Sequence, residues 1–145
     1  MTEKPYPFYQ TRTEYRYEFT SVSSLKEIPK VVLITQTETP KVFNVALLDI
    51  LEDGNMSDVS VGNNDDLKTI LATVIKIIED FLNKNEGCFV VFRGSDERRQ
   101  RLYRVVVSRE FKEITNKFQV WGGTENEIVL FVPNTDYEYF LIEKR

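Results

Sequence analysis

The chain is predicted to be an α+β protein, with an antiparallel sheet of about seven strands packed around one long buried helix and a second, arginine-rich helix. Two observations carry that prediction. One is an eight-position apolar repeat at helical spacing: Leu67, Ile70, Leu71, Val74, Ile75, Ile78, Phe81 and Leu82. The other is a set of short β-rich runs on either side of it, bounded by Gly, Pro, Asn and Asp, which gives the order ββββα-βα-βββ.

Pro5 and Pro7 favour an extended lead-in over residues 1–12. Tyr15, Tyr17 and Phe19 then alternate with Arg16 and Glu18, the period of a half-buried strand. A second run spans Lys30–Thr35, and Thr39-Pro40 marks a turn before a third, Val42–Ile50. Asp53-Gly54-Asn55 is a turn signal, after which Val59–Val61 is predicted as a short strand. The connections are too short for helical crossovers, so these runs should form an antiparallel meander. The long helix follows, capped by Asn64 or Asp65 and ended by Asn85 to Gly87, with Ile77 widening its apolar stripe.

Next comes a strand, Cys88–Phe92, and a helix from Glu97 to Val107. Val105–Val107 is β-branched and would also suit a strand, but the leucine-and-arginine run before it favours the helix. A further helical turn, Glu110–Asn116, precedes Phe118–Trp121 and Gly122-Gly123. Ile128–Val132 and Tyr137–Ile142 close the chain as strands separated by Pro133-Asn134. The final aromatic strand is expected to lie at a sheet edge, where it could pair with another chain as a homodimer. One domain over 1–145 accounts for all of these elements, since no repeat or linker divides them.

Chemistry is limited by what the chain lacks. It has no histidine, so a Ser-His-Asp or Cys-His site and histidine metal ligation are excluded. Phosphate-cradling glycine loops are absent. Cys88 is the single cysteine, lies among apolar residues and reads as a packing residue. The acidic group Asp49, Glu52, Asp53 and Asp58 has the oxygens of a magnesium or calcium site, but it equally describes an acidic hairpin tip. Gly62-Asn63-Asn64 could offer backbone N–H groups to an anion, against repulsion from Asp65 and Asp66. No catalytic residue, metal or cofactor is therefore predicted. The net charge of −4 argues against general attraction to nucleic acid or anionic membranes. The absence of an apolar leader or spanning segment points to a cytoplasmic setting.

One segment departs from this background. Six of the nine arginines fall between Arg93 and Arg109. On a helical wheel Leu102, Val105 and Val106 define the buried face, with Arg98 and Arg109 at its ends. Arg101 and Arg104 share one flank, and Arg99 and Tyr103 the other. Guanidinium groups donate paired hydrogen bonds to phosphate or carboxylate and stack on bases. Arg93, Arg98, Arg101, Tyr103 and Arg104 are thus the candidate binding residues for single-stranded nucleic acid or an acidic protein partner, with Trp121 as a further stacking group. The competing reading is structural, in which the arginine stems cover a seam and their heads pair with nearby carboxylates such as Asp96 and Glu97.

The element order resembles that of Whirly and Pur-type single-stranded nucleic-acid-binding domains. Three short pieces taken together point elsewhere: Tyr15-Arg16-Tyr17-Glu18-Phe19, Leu71-Ala72-Thr73-Val74, and Arg101-Leu102-Tyr103-Arg104 after Gly94-Ser95. They resemble a family of small bacterial proteins known only as a domain of unknown function. That resemblance covers nearly the whole chain and implies no activity.

Overall fold

A computed structural model describes residues 3–10, 15–22, 27–57, 66–94 and 96–145. Among them, nine strands form one sheet: β1 (Tyr9–Gln10), β2 (Tyr15–Val22), β3 (Glu27–Gln36), β4 (Val42–Ile50), β5 (Met56–Ser57), β6 (Phe89–Phe92), β7 (Phe118–Gly123), β8 (Ile128–Leu130) and β9 (Tyr139–Lys144). The helices are α1 (Leu67–Lys84), α2 (Glu97–Arg109) and α3 (Phe111–Lys117). The spatial order is β1-β2-β3-β4-β6-β9-β7-β8, with β5 pairing β4 off this path.

The α+β class and the order of long elements follow the sequence pattern. The expected strand at Val59–Val61 and the expected caps Asn64 and Asp65 lie outside the described residues; within them, Met56–Ser57 pairs with β4. The lead-in contributes more than extended chain, because Tyr9–Gln10 pairs with β2 and Tyr6 and Phe8 pack against the core. All described strand pairs are antiparallel except β4–β6. That parallel pair is joined through α1, since two parallel neighbours need a crossover long enough to return the chain to its starting end.

The expected edge strand is a correction. β9 lies inside the sheet, hydrogen-bonded to β6 on one side and β7 on the other. Its alternating Phe140 and Ile142 are buried, as a central strand requires. The outer positions fall to β1 and β8.

All three helices cover the same face of the sheet. That face presents Tyr17, Phe19, Val32, Ile34, Val45, Leu47, Val90, Phe92, Phe140 and Ile142 to the helical layer. Nine residues of α1 are buried, and Ile70, Val74, Ile77, Ile78 and Phe81 are fully inaccessible. The Phe81 ring meets Tyr15 and Phe43 edge-on at 4.9 and 5.0 Å between centroids. At the C-terminus of α1, Asn85 donates from its side-chain amide to the Phe81 carbonyl at 2.9 Å, and Gly87 takes the left-handed conformation at φ 79°.

A buried ion pair sits on this same face. Lys30 and Asp49 are Cα partners across β3 and β4, each side chain is 1% exposed, and the ammonium bonds the Asp49 Oδ1. Asp49 Oδ2 has no hydrogen-bond partner among the described residues. Breaking such a pair leaves a buried charge, whereas replacing both members by apolar groups does not. Lys30→Met alone should therefore cost about 3–5 kcal/mol, and Lys30→Met/Asp49→Leu should recover most of it. Urea unfolding of the two variants beside the parent checks this, and equal losses in both would refute it.

Tyr17 carries a second buried polar contact, donating to Asp80 Oδ2 at 3.0 Å. Burial, and then the neighbouring Asp80 carboxylate, push its phenol well above the ordinary value. Tyr6, half-buried and bonded to Asp66 Oδ2 at 2.5 Å, shifts the same way. A raised folded pKa means the unfolded chain releases these protons first. Their contribution is complete below the ordinary tyrosine value of about 10 and is lost as pH rises beyond it. Stability measured from pH 8 to 11 should fall above that point, by up to about 1.4 kcal/mol per pH unit for Tyr17 and by less for the more exposed Tyr6, and Tyr17→Phe should flatten the decline.

Candidate binding groove at the arginine helix

The residues that open the groove are fixed by the end of β6. After Phe92 the chain leaves the sheet through Arg93 and Gly94 and enters α2 at Asp96. Asp96 is the N-cap: its Oδ1 accepts the Arg99 backbone N–H at 2.8 Å, and its Oδ2 pairs with the Arg99 guanidinium at 2.6 Å. An aspartate suits this position because it satisfies an orphan N–H and complements the helix dipole. Gln100 then bridges both walls. Its Oε1 accepts from Gly94 N–H at 2.8 Å, and its Nε2 donates to the Tyr137 carbonyl at 2.9 Å.

The helix is turned relative to the wheel drawn from sequence. Its buried residues are Tyr103, Val106 and Val107, whereas Leu102 and Val105 are only half-buried. The reason is aromatic: Tyr103 stacks on Phe92 at 4.8 Å and 22°, which outweighs the smaller apolar surface on the other side. Tyr103 is 2% exposed and belongs to the core, so its ring is not presented to a ligand at the surface.

The arginines separate accordingly. Arg93 is exposed and lies 5.6 Å from the centroid of the Tyr139 ring. Arg99 is spent on the cap, and Arg104 pairs with Asp136. Arg98 and Arg101 are exposed, and no carboxylate pairs with either among the described residues. An open groove of about 740 Å³ brings together Arg93, Arg101 and Arg104 with Asp96, Glu97, Asp136 and Glu138. Arg98 lies outside it. Three arginines against four carboxylates leave the walls nearly neutral.

Trp121-Gly122-Gly123 serves packing. Trp121 is half-buried against Phe89 on the sheet face away from the helices. Gly122 and Gly123 lie beneath the rings of Tyr137 and Tyr139, where an added Cβ would come within 2.3 and 2.0 Å of ring carbons. The acidic group does not converge either: Asp49 is buried on Lys30, Asp53 accepts from Asn55 N–H at 2.9 Å, and Asp58 lies outside the described residues. Among the described residues no cluster of three potential metal ligands forms. Gly62-Asn63-Asn64 and Asp65 also lie outside them. No described helix is long and apolar enough to cross a membrane.

A family model described as "Family of unknown function (DUF6934)" matches residues 2–145. The chain belongs to this family. No curated protein and no solved structure matches the chain, and the expected resemblance to Whirly and Pur-type domains is not shown. Thr124, Asp136 and Glu138 line the groove without having been singled out in the sequence, and so does Gln100, which joins its walls. A glutamine among arginines carries no periodic or charge signal, and its role emerges only when Gly94 and Tyr137 are brought together.

Gly94 gives that arrangement a direct test. A Cβ there would lie 2.3 Å from the Gln100 backbone nitrogen and 2.7 Å from the Arg99 carbonyl carbon, both main-chain atoms that cannot swing aside. Gly94→Ala should destabilise the protein by about 1–3 kcal/mol through overpacking. Thermal unfolding reads the loss, and an unchanged Tm would show that α2 tolerates displacement from the strand exit.

Proposed function

We propose that this chain is a cytoplasmic, non-catalytic binding module and that the groove beside α2 receives a polypeptide segment bearing both charges. The observation that carries the reading is the composition of the walls: Arg93 and Arg101 share one concavity with Asp96, Glu97 and Glu138. A carboxylate of the partner would engage the guanidinium groups, and an ammonium or guanidinium would engage Glu97 and Glu138. A polyphosphate would meet the same arginines but also the carboxylates, and affinity for nucleic acid rests on uncompensated cations.

Single-stranded nucleic acid is the second reading, supported by Arg98 and Arg101, which are exposed and unpaired by carboxylates among the described residues. Arg93, with the Tyr139 ring beside it, would be its third contact, and Arg104 and Tyr103 take no part.

Two titrations separate these readings. Amide NMR spectra of the protein, recorded with short peptides containing both Glu and Lys, should shift at Gly94, Gln100, Thr124 and Glu138. Arg93→Ala/Arg101→Ala should remove those shifts while leaving the Tm unchanged. A labelled oligothymidine should bind weakly at low salt, with little further loss as salt rises. Steeply salt-dependent oligonucleotide binding that the double variant abolishes would overturn the polypeptide reading in favour of the nucleic-acid one. No shift with either probe would overturn both.

A further inference from the structure

We infer that β8 is a self-pairing edge and that a second copy of this chain is its occupant, through a site separate from the groove. β8 is the outermost strand beyond β7. Ile128, Val129, Leu130 and the adjoining Val132 are 53, 37, 60 and 56% exposed, which makes this short stretch half of the large exposed apolar side chains of the described residues. An edge strand usually carries lysine, proline or a bulge that discourages pairing. β8 has none of these within its three residues.

The backbone is set for pairing as well. Thr124 N–H donates to Glu127 O at 2.9 Å, and Phe131 N–H donates to Val120 O at 3.1 Å. In an antiparallel ladder the groups of alternate residues point to opposite sides. With the register Gly122↔Val129, the groups of Glu127, Val129 and Phe131 therefore face β7. Those of Ile128 and Leu130 face outward. The row ends at Val132, whose N–H is taken by the Tyr137 hydroxyl at 3.1 Å.

A two-fold axis through Val129 satisfies that row. It sets Ile128 of each copy opposite Leu130 of the other as hydrogen-bonded pairs, with the two Val129 residues facing each other as a non-hydrogen-bonded pair. Charge favours the same antiparallel arrangement. Exposed Glu125 and Glu127 precede the strand. The other end is tied to the C-terminus of α2, where Asn134 N–H donates to Ser108 Oγ at 3.0 Å, beside exposed Arg109 and Lys112. The symmetry brings the acidic end of each copy to the basic end of the other, twice. A three-residue strand buries less than a stable interface needs, so the dimer is weak and concentration-dependent.

Sedimentation of the intact chain from about 10 µM to 1 mM should show reversible dimerisation. Ile128→Lys/Leu130→Lys places charges on side chains that are already exposed, so the fold and Tm should persist while the dissociation constant rises at least about tenfold. Glu127→Arg should weaken the dimer, and adding Arg109→Glu should restore it. In a Cys88→Ser background, Val129→Cys should form an intermolecular disulfide under mild oxidation, because facing non-hydrogen-bonded residues lie about 4.5 Å apart at Cα, within disulfide reach. A monomer throughout the concentration range overturns the inference. So does a dimer that survives the two lysines, or one that the Val129→Cys substitution fails to cross-link.

Discussion

The packing of α1 against one face of the sheet is the constraint on which the rest of the molecule depends. Eighteen residues of helix leave the β4 side of the sheet and return the chain to β6, running parallel to β4. Everything later in the sequence is placed by that return. β6 sets the start of α2, β9 pairs with β6, β7 pairs with β9, and β8 closes the row. The helix is held by shape as much as by area, because Phe81 and its aromatic neighbours lock its C-terminal half beside β2 and β4. Full burial of each of the five inaccessible apolar side chains of α1 contributes about 1.5–3 kcal/mol before ordering entropy is subtracted. No other described helix gathers a comparable apolar surface.

The arginine segment shows how a dense charge cluster divides between structure and surface. α2 cannot turn freely, since Tyr103 must stack on Phe92 and Asp96 must cap the first turn. Once those two contacts fix the azimuth, Arg99 points to its cap and Arg104 to Asp136. Arg101 stays exposed at the groove, next to Gln100 and its bridge to Tyr137. The result is a nearly neutral concavity made from a strongly basic sequence. Exposed ion pairs of this kind add little stability. Their effect is to neutralise two of the segment's cations.

Much of this is legible in the sequence. Alternation at Tyr15, Tyr17 and Phe19 and the helical repeat from Leu67 to Leu82 mark β2 and α1, because a single buried face imposes one period on each element. The start of α2 after Asp96 and the turn at Gly54 are legible for a similar reason: both are local, and each depends on a residue type suited to one backbone geometry. What escapes is non-local. The place of β9 inside the sheet depends on which strands α1 brings together, and an alternating pattern reads the same at an edge as in the interior. The azimuth of α2 turns on a tyrosine that the wheel treats as polar, and the groove rests on contacts between residues 94, 100 and 137 that no spacing records.

The same logic explains why the two ends of the sheet differ. β1 is a two-residue strand, and its neighbourhood is tied down by Tyr6, whose hydroxyl and backbone N–H reach Asp66 and Thr73 of the α1 region. β8 has no such anchor across its strand among the described residues. Its residues pair with Trp121-Gly122-Gly123, and Leu130 and Ile128, opposite Trp121 and Gly123, stand on the sheet face away from the helices. Their exposure thus follows from standing on the face that the three helices leave uncovered. A strand that must be apolar enough to extend the sheet, yet has nothing beneath it to bury against, is left with an outward row of backbone groups flanked by uncovered side chains. A one-residue slip of register would turn Ile128 and Leu130 to the helical face only by moving Val129 to the other, so it exchanges one uncovered set for another.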